Sequence, residues 1–462
     1  MAGQRDLGIG GLISVAVLAL FAGVATGSQQ SPHSIHLDPL RPSVENPGPC
    51  GATSLEGCIA CCVEGSSPEC ADWARAVNDA LDGRAQFTDD EGFRGIWLPT
   101  IDAVRAAAQR IPQLKSVGID AVSFGPDIVT RDVAEPRTVG DRAIRFYVRL
   151  FHTAGFAVYV VPNPMHWGNN EVSLHALTPL VIAWAEEAEV LGVELYAVLN
   201  EADGMREDRA ETSAWLQEVL TPVRERYGGL ICVQPTQAGF KSGVLNFGGY
   251  DVVSPLFSLL VPDPVRNLRE IDAFSAEAAR VRERFASVHR VFLSDVATFA
   301  GRNWAETFLM ESQARAVAEG RSEYSNDLEQ AAAYDMFLTQ PLPSVDGCFF
   351  NLSVGFDFLS RPAEDVVRNR FAASGCLPPH PLDAIWPTPG LLEVLERLMM
   401  TEEERALIFD LTTYVAGWAG LCYEPSVGRP GPFGCTSTAS CMERFREQPE
   451  SYWQLASEDC AD

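Results

Sequence analysis

Through the middle of the chain, apolar positions alternate between two spacings. In Ile101–Ser116 the residues Val104, Ala107, Ala108 and Ile111 recur at three- and four-residue steps, one face of a helix. Gly118 follows, then a mostly apolar run, Ile119–Phe124. Asp141–Ala154 repeats the unit with Ile144, Tyr147, Val148 and Phe151, then Gly155 and the run Phe156–Val161. Leu180–Leu191 repeats it again, with Gly192 and Val193–Leu199. Each glycine stands where a helix end calls for a left-handed residue. The runs lack the alternation of a half-exposed strand, so they predict parallel strands covered on both faces.

Further runs at Gly95–Leu98, Leu230–Val233, Tyr250–Ser254, Arg290–Ser294 and Gly347–Leu352 bring the strands to eight. Helical segments such as Ile271–Phe285 and Asp327–Leu338 lie between them. This rhythm predicts an α/β fold, a closed (β/α)8 TIM barrel over residues 92–375. The competing doubly wound sheet calls for a glycine-rich phosphate loop after its first strand, and the sequence has none there. Past Phe371 the rhythm stops. Helical stretches at Leu391–Met399 and Glu402–Trp418 predict a small helical extension over residues 376–462.

The N-terminus has a different character. Residues 1–27 hold Arg5, an apolar stretch from Leu12 to Val24, and small residues at Ala25 and Gly27. That order predicts a secretory signal peptide, with an uncleaved membrane anchor as the alternative. Residues 28–49, rich in Pro, Ser and His, read as a linker. Twelve cysteines fit an oxidising compartment. Cys50, Cys58, Cys61, Cys62 and Cys70 crowd the segment 50–91, and Cys376, Cys422, Cys435, Cys441 and Cys460 follow the barrel. These ten are expected in disulfides, whereas Cys232 and Cys348 lie inside strands and are expected as buried thiols. The expected location is secreted or extracytoplasmic, in a periplasm or at a cell surface.

Acidic residues outnumber basic ones 62 to 35, a net charge of −27. Such a balance argues against duplex nucleic acid and anionic membrane surfaces as partners. The remaining chemistry sits at the C-terminal strand ends, where barrels of this type carry their functional groups. Strand two ends in Phe124-Gly125-Pro126-Asp127, strand three in Asn163-Pro164-Met165-His166-Trp167, and strand four in Asn200-Glu201. Strand six ends in Pro255-Leu256-Phe257, strand seven in Ser294-Asp295, and strand eight in Asn351, with Asp357 beyond it. Two carboxylates, Glu201 and Asp295, thus face each other across a barrel mouth. Cleavage of a glycosidic bond needs such a pair, one protonated to give its proton to the leaving oxygen, the other to attack carbon or activate water. Asn163, His166, Trp167, Asn200, Phe257 and Asn351 are the expected sugar contacts, although Trp167 reads equally well as a packed loop aromatic. His152 and His175 fall on helices and read as surface residues. No His, Asp or Glu cluster has metal-ligand spacing and no Gly-x-Ser-x-Gly turn occurs, so neither a metal, a cofactor nor a serine nucleophile is expected.

The stretch Leu195-Tyr196-Ala197-Val198-Leu199-Asn200-Glu201 resembles the fourth-strand signature of clan A glycoside hydrolases, the retaining β-glycanases and β-mannanases. Val291-Phe292-Leu293-Ser294-Asp295-Val296 resembles their seventh strand, and Arg361-Pro362-Ala363-Glu364 their entry to the last helix. The resemblance implies Glu201 as acid/base, Asn200 as a ligand of the sugar 2-hydroxyl, and Asp295 at the position of the nucleophile. The sequence departs from the pattern in several places: Asp295 replaces Glu, Ala202 replaces the proline after Asn-Glu, and Phe257 stands where a tyrosine often sits. An arginine at the end of strand two and a tryptophan at the end of strand eight are also missing. Two readings follow. One is a secreted hydrolase of a β-linked polysaccharide or oligosaccharide; the other is a non-catalytic carbohydrate-binding relative that keeps the cleft.

Overall fold

The computed structural model describes residues 38–63, 67–81, 92–130, 135–164, 173–205, 208–258, 264–297, 327–340, 342–352 and 357–407. The expected signal peptide, His166, Trp167, Cys422, Cys435, Cys441, Cys460 and the end of the second C-terminal helix lie outside these residues. Among the described residues no helix is long and apolar enough to cross a membrane.

Eight strands close into a parallel barrel: β1 (Arg94–Trp97), β2 (Ala121–Phe124), β3 (Ala157–Val160), β4 (Leu195–Asn200), β5 (Leu230–Gln234), β6 (Val252–Val253), β7 (Arg290–Ala297) and β8 (Gly347–Asn351). Each pairs in parallel with the next, β6 pairs with β7, and β8 returns to β1, so no edge is left. The strands are those expected from the apolar runs, within two residues at most ends. Their inward side chains, Trp97, Tyr159, Cys232, Phe292 and Phe349 among them, form a separate inner cluster. Gly95 makes room for this packing, since a Cβ there would lie 2.2 Å from the Phe349 ring.

The helices between the strands cover the outward faces. The helix expected over Ile101–Ser116 is two, Ile101–Gln109 and Ile111–Val117. Pro112 opens the second, because a residue without an N–H is best placed in a first turn. His152 is buried rather than superficial, its Nε2 2.9 Å from Glu194 Oε2.

The described segments that precede and follow the barrel in sequence pack together on one side of it. Helices Leu55–Val63 and Pro68–Asp79 pack on Leu391–Met399, which packs on Ile101–Gln109 and Asp141–Thr153. Buried polar pairs pin the join. Lys115 Nζ lies 2.9 Å from Asp383, and Glu396 accepts from Arg105 at 2.6 Å and from Tyr147 Oη at 2.7 Å. Bridges Cys50–Cys61 and Cys62–Cys70 tie the N-terminal pair of helices. Cys58 departs from expectation: it is a buried free thiol, because five cysteines leave one over and its helix face turns into the core. Cys376 is exposed and forms no bridge among the described residues, while Cys232 and Cys348 are buried thiols as expected.

Candidate active site

The mouth of the barrel is built by two irregular strands. Between Ala197 and Asn200, β4 takes three steps while β5 takes two, from Cys232 to Gln234. This β-bulge turns Asn200 to the same side as Gln234, next to Glu201. Glu201 has φ +43°, a left-handed backbone that costs a side-chain-bearing residue roughly 1–3 kcal/mol. The surroundings hold it there: its N–H donates to the Gln234 carbonyl at 2.8 Å and its own carbonyl accepts from Gly204 N–H at 2.8 Å. Asp203, two residues on, accepts from Thr236 N–H at 2.9 Å and from Thr236 Oγ1 at 2.5 Å. The alanine at 202 suits this conformation, because a proline would push the residue before it toward extended backbone.

The opposite strand carries the same device. From Leu293 to Val296, β7 takes three steps while β8 takes two, from Cys348 to Phe350. Within that bulge Asp295 has φ +47°. Of the four non-glycine residues with positive φ among the described ones, two are therefore the paired acids. Bulges and strained residues of this kind gather next to active sites.

The electrostatics separate the two groups. Glu201 is 4% exposed, and burial pushes its carboxyl well above the ordinary range, with the charges of Asp295 and then Asp203 adding to the effect. Burial raises Asp295 to about 6, opposed by the hydrogen bond that Asn351 Nδ2 donates to its Oδ1 at 2.6 Å. Asp295 is partly exposed. One acid is thus biased toward the neutral form and its partner ionises near pH 6, a division that suits acid and base roles.

Amides and a third acid complete the mouth. Asn200 Nδ2 donates to Asn163 Oδ1 at 2.9 Å, and Asn163 Nδ2 lies 3.3 Å from the Pro99 carbonyl. Asn163 pairs in register with Asp127, which burial raises to about 7 against a hydrogen bond from the Asn163 side chain. Asn163, Asn200, Glu201, Asp295 and Asn351 therefore stand at the strand ends as expected from the sequence.

Phe257 does not join them. It is fully buried in the outer layer, 4.8 Å from Phe274 and 5.7 Å from Phe337 between ring centroids, so its side chain belongs to the helix packing and not to a sugar cleft. Asp357 is likewise taken up outside the mouth, where it accepts from Arg110 at 2.5 Å. Sequence reasoning named Asp127 at the end of strand two without giving it a role, and passed over Gln234 and Trp97. Gln234 supplies the carbonyl that holds Glu201, and its Oε1 accepts from Tyr159 Oη at 3.2 Å. Trp97 lies in register with Asn351 and puts an indole in the inner cluster at that level. Their positions at strand ends were the signal that could have found them.

No family model matches the chain, and no curated protein matches it. Among solved structures, similar ones include the GH113 β-mannanase AaManA from Alicyclobacillus acidocaldarius, at 16% identity and TM-score 0.48, covering 62% of this chain and 98% of that one. A second GH113 β-1,4-mannanase matches at 14% identity and TM-score 0.47, covering 61% and 99%. A β-glucuronidase from Ruminococcus gnavus matches at 11% identity and TM-score 0.42, covering 61% of this chain and 50% of its own.

Proposed function

We propose that this chain is a glycoside hydrolase acting on a β-linked glycan, with Glu201 as proton donor and Asp295 as nucleophile. The observation that carries the reading is the acid pair itself. Two carboxyls stand at the ends of β4 and β7, each on left-handed backbone at or beside a bulge, and the charge of one raises the other. In this reading Glu201 protonates the leaving glycosidic oxygen while Asp295 bonds to the anomeric carbon. Water then attacks, and Glu201, now ionised, takes its proton. Asn351 holds the Asp295 carboxylate, and Asn200 meets a ring hydroxyl.

Retention of configuration asks for carboxyls ~5–5.5 Å apart, whereas inverting pairs stand ~6.5–9.5 Å apart. An aspartate is shorter than a glutamate by about 1.5 Å of reach. The bulge in β7 supports retention, since it reroutes the backbone at the residue that must make up that length. The two N-terminal bridges support action outside the cytosol, where disulfides persist.

The test is reducing-sugar release from a panel of mannans, glucans and xylans by the wild type and by Glu201→Gln. Release that the variant loses supports the reading. Oligosaccharide binding without release from any substrate would move the chain to the non-catalytic class.

A further inference from the structure

We infer that Asp203 is a positioning residue for Glu201: docked on Thr236, its carboxylate clamps the turn that holds the proton donor at the barrel mouth. The inference rests on the glycan-cleaving reading above.

Glu201 lies between β4 and the single turn Ala202–Gly204, on left-handed backbone. A residue in that conformation persists only where its surroundings over-determine it. Here residues 201–203 are fastened to residues 234–236 at both ends. At the first end Glu201 N–H donates to the Gln234 carbonyl at 2.8 Å. At the second, both Asp203 carboxylate oxygens are taken by one residue. Thr236 N–H donates to Oδ1 at 2.9 Å, and Thr236 Oγ1 donates to Oδ2 at 2.5 Å.

The receiving side is itself fixed. Thr236 Oγ1 accepts from Gly239 N–H at 2.9 Å, and the Thr236 carbonyl accepts from Phe240 N–H at 2.9 Å, at the start of the helix Gln237–Ser242. A hydroxyl carries one proton, so with Gly239 N–H pointing at its oxygen the Thr236 proton goes to Asp203. Gly239 also leaves room for the acid, because a Cβ there would overlap Asp203 Oδ2. Asp203 is buried, and its docking is set by the fold. What this clamp governs is the aim of Glu201. Once released, the turn can relax toward ordinary backbone and swing the Glu201 carboxyl away from the leaving oxygen. A misplacement of about 1 Å can cost about 10²-fold in rate.

A displaced proton donor has its own signature. Phenoxide leaves poorly and needs the proton, whereas 2,4-dinitrophenoxide departs without one. The experiment measures kcat/KM on phenyl and 2,4-dinitrophenyl β-glycosides of cellobiose, mannobiose and xylobiose, each variant at its own pH optimum. Glu201→Gln sets the pattern for complete loss of the donor, with a large penalty on the phenyl glycoside and a small one on the dinitrophenyl glycoside. Asp203→Ala should lose about tenfold on the phenyl glycoside, part of the ~10²–10⁴-fold that a proton donor supplies, and no more than about threefold on the other. Thr236→Val keeps the acid and removes one of its two bonds, so it should lose in the same ratio, which keeps the test open if Asp203→Ala does not fold. Asp203→Asn still offers an oxygen to Thr236 N–H and should recover most of the loss. Equal penalties on the two glycosides, or none on either, in Asp203→Ala and Thr236→Val overturn the inference while leaving the hydrolase reading intact. A Glu201→Gln variant without the leaving-group pattern, or a wild type that cleaves none of these glycosides, removes the reading and the inference with it.

Discussion

Asn351 Nδ2 donates to Asp295 Oδ1 at 2.6 Å, a bond that joins the ends of β8 and β7 and favours the ionised carboxylate. It works against burial, which alone would push Asp295 higher. The balance places Asp295 at about 6.

The pH profile follows from this balance. In the proposed mechanism Asp295 attacks as the ionised carboxylate, so kcat/KM should rise with pH through about 6. Asn351→Ala removes a donor that favours the charged form, so the acid limb should move to higher pH. A limb that stays in place in this variant would separate Asp295 from the rate.

In the same proposed mechanism Glu201 governs the opposite limb. Its raised carboxyl stays protonated at pH values where ordinary carboxylates are ionised, and activity should fall once pH passes that raised value. Glu201→Gln should cost ~10²–10⁴-fold in rate and abolish the alkaline limb, with the thermal transition preserved. Azide should restore turnover of an activated aryl substrate by the variant. Proton NMR of the first-formed anomer should show retention; an inverted product would take the nucleophile role from Asp295.

The barrel interior predicts a stability effect without chemistry. Gly95→Ala would drive a methyl group into the Phe349 ring, 2.2 Å from where its Cβ must lie. Overpacking of this kind costs about 1–3 kcal/mol, readable as a lower denaturant midpoint with unchanged slope.

The junction between the barrel and the helix Leu391–Met399 should respond to pH. Burial raises Glu396 to about 7 despite the opposing Arg105 charge and the bond from Tyr147. A carboxyl whose folded value lies above its unfolded one makes a contribution that is complete below the unfolded value of about 4.5 and is lost as pH rises through about 7. Stability should therefore decline across that window by up to ~1.4 kcal/mol per pH unit. Glu396→Gln should flatten the slope in urea melts taken from pH 4.5 to pH 7.5; an unchanged slope would assign it to another group.

Much of this molecule was legible along the chain. Val193–Leu199 and Phe156–Val161 could only be covered strands, because mostly apolar runs that follow helix-ending, left-handed glycines leave few other solutions. Eight such units imply closure, and closure places Asn163, Asn200, Glu201, Asp295 and Asn351 at one mouth. Strand ends are local features, so which residues would stand at that mouth could be read from the sequence.

Three-dimensional packing decided the rest. Period-two reasoning assumes regular pleating, and the bulges in β4 and β7 break it, so neither the aim of Asn200 nor the left-handed backbone of Glu201 and Asp295 could be counted off the sequence. Phe257 ends a strand as a site residue should, yet Phe274 and Phe337 from two later helices claim its ring. Cys58 looks like its neighbours, and only the burial of its helix face leaves it out of the bridges. Asp127 is one more acid after a proline until the small sheet sets it beside Asn163. A sequence determines what each segment can form; which partner reaches a side chain first depends on residues far away in the chain.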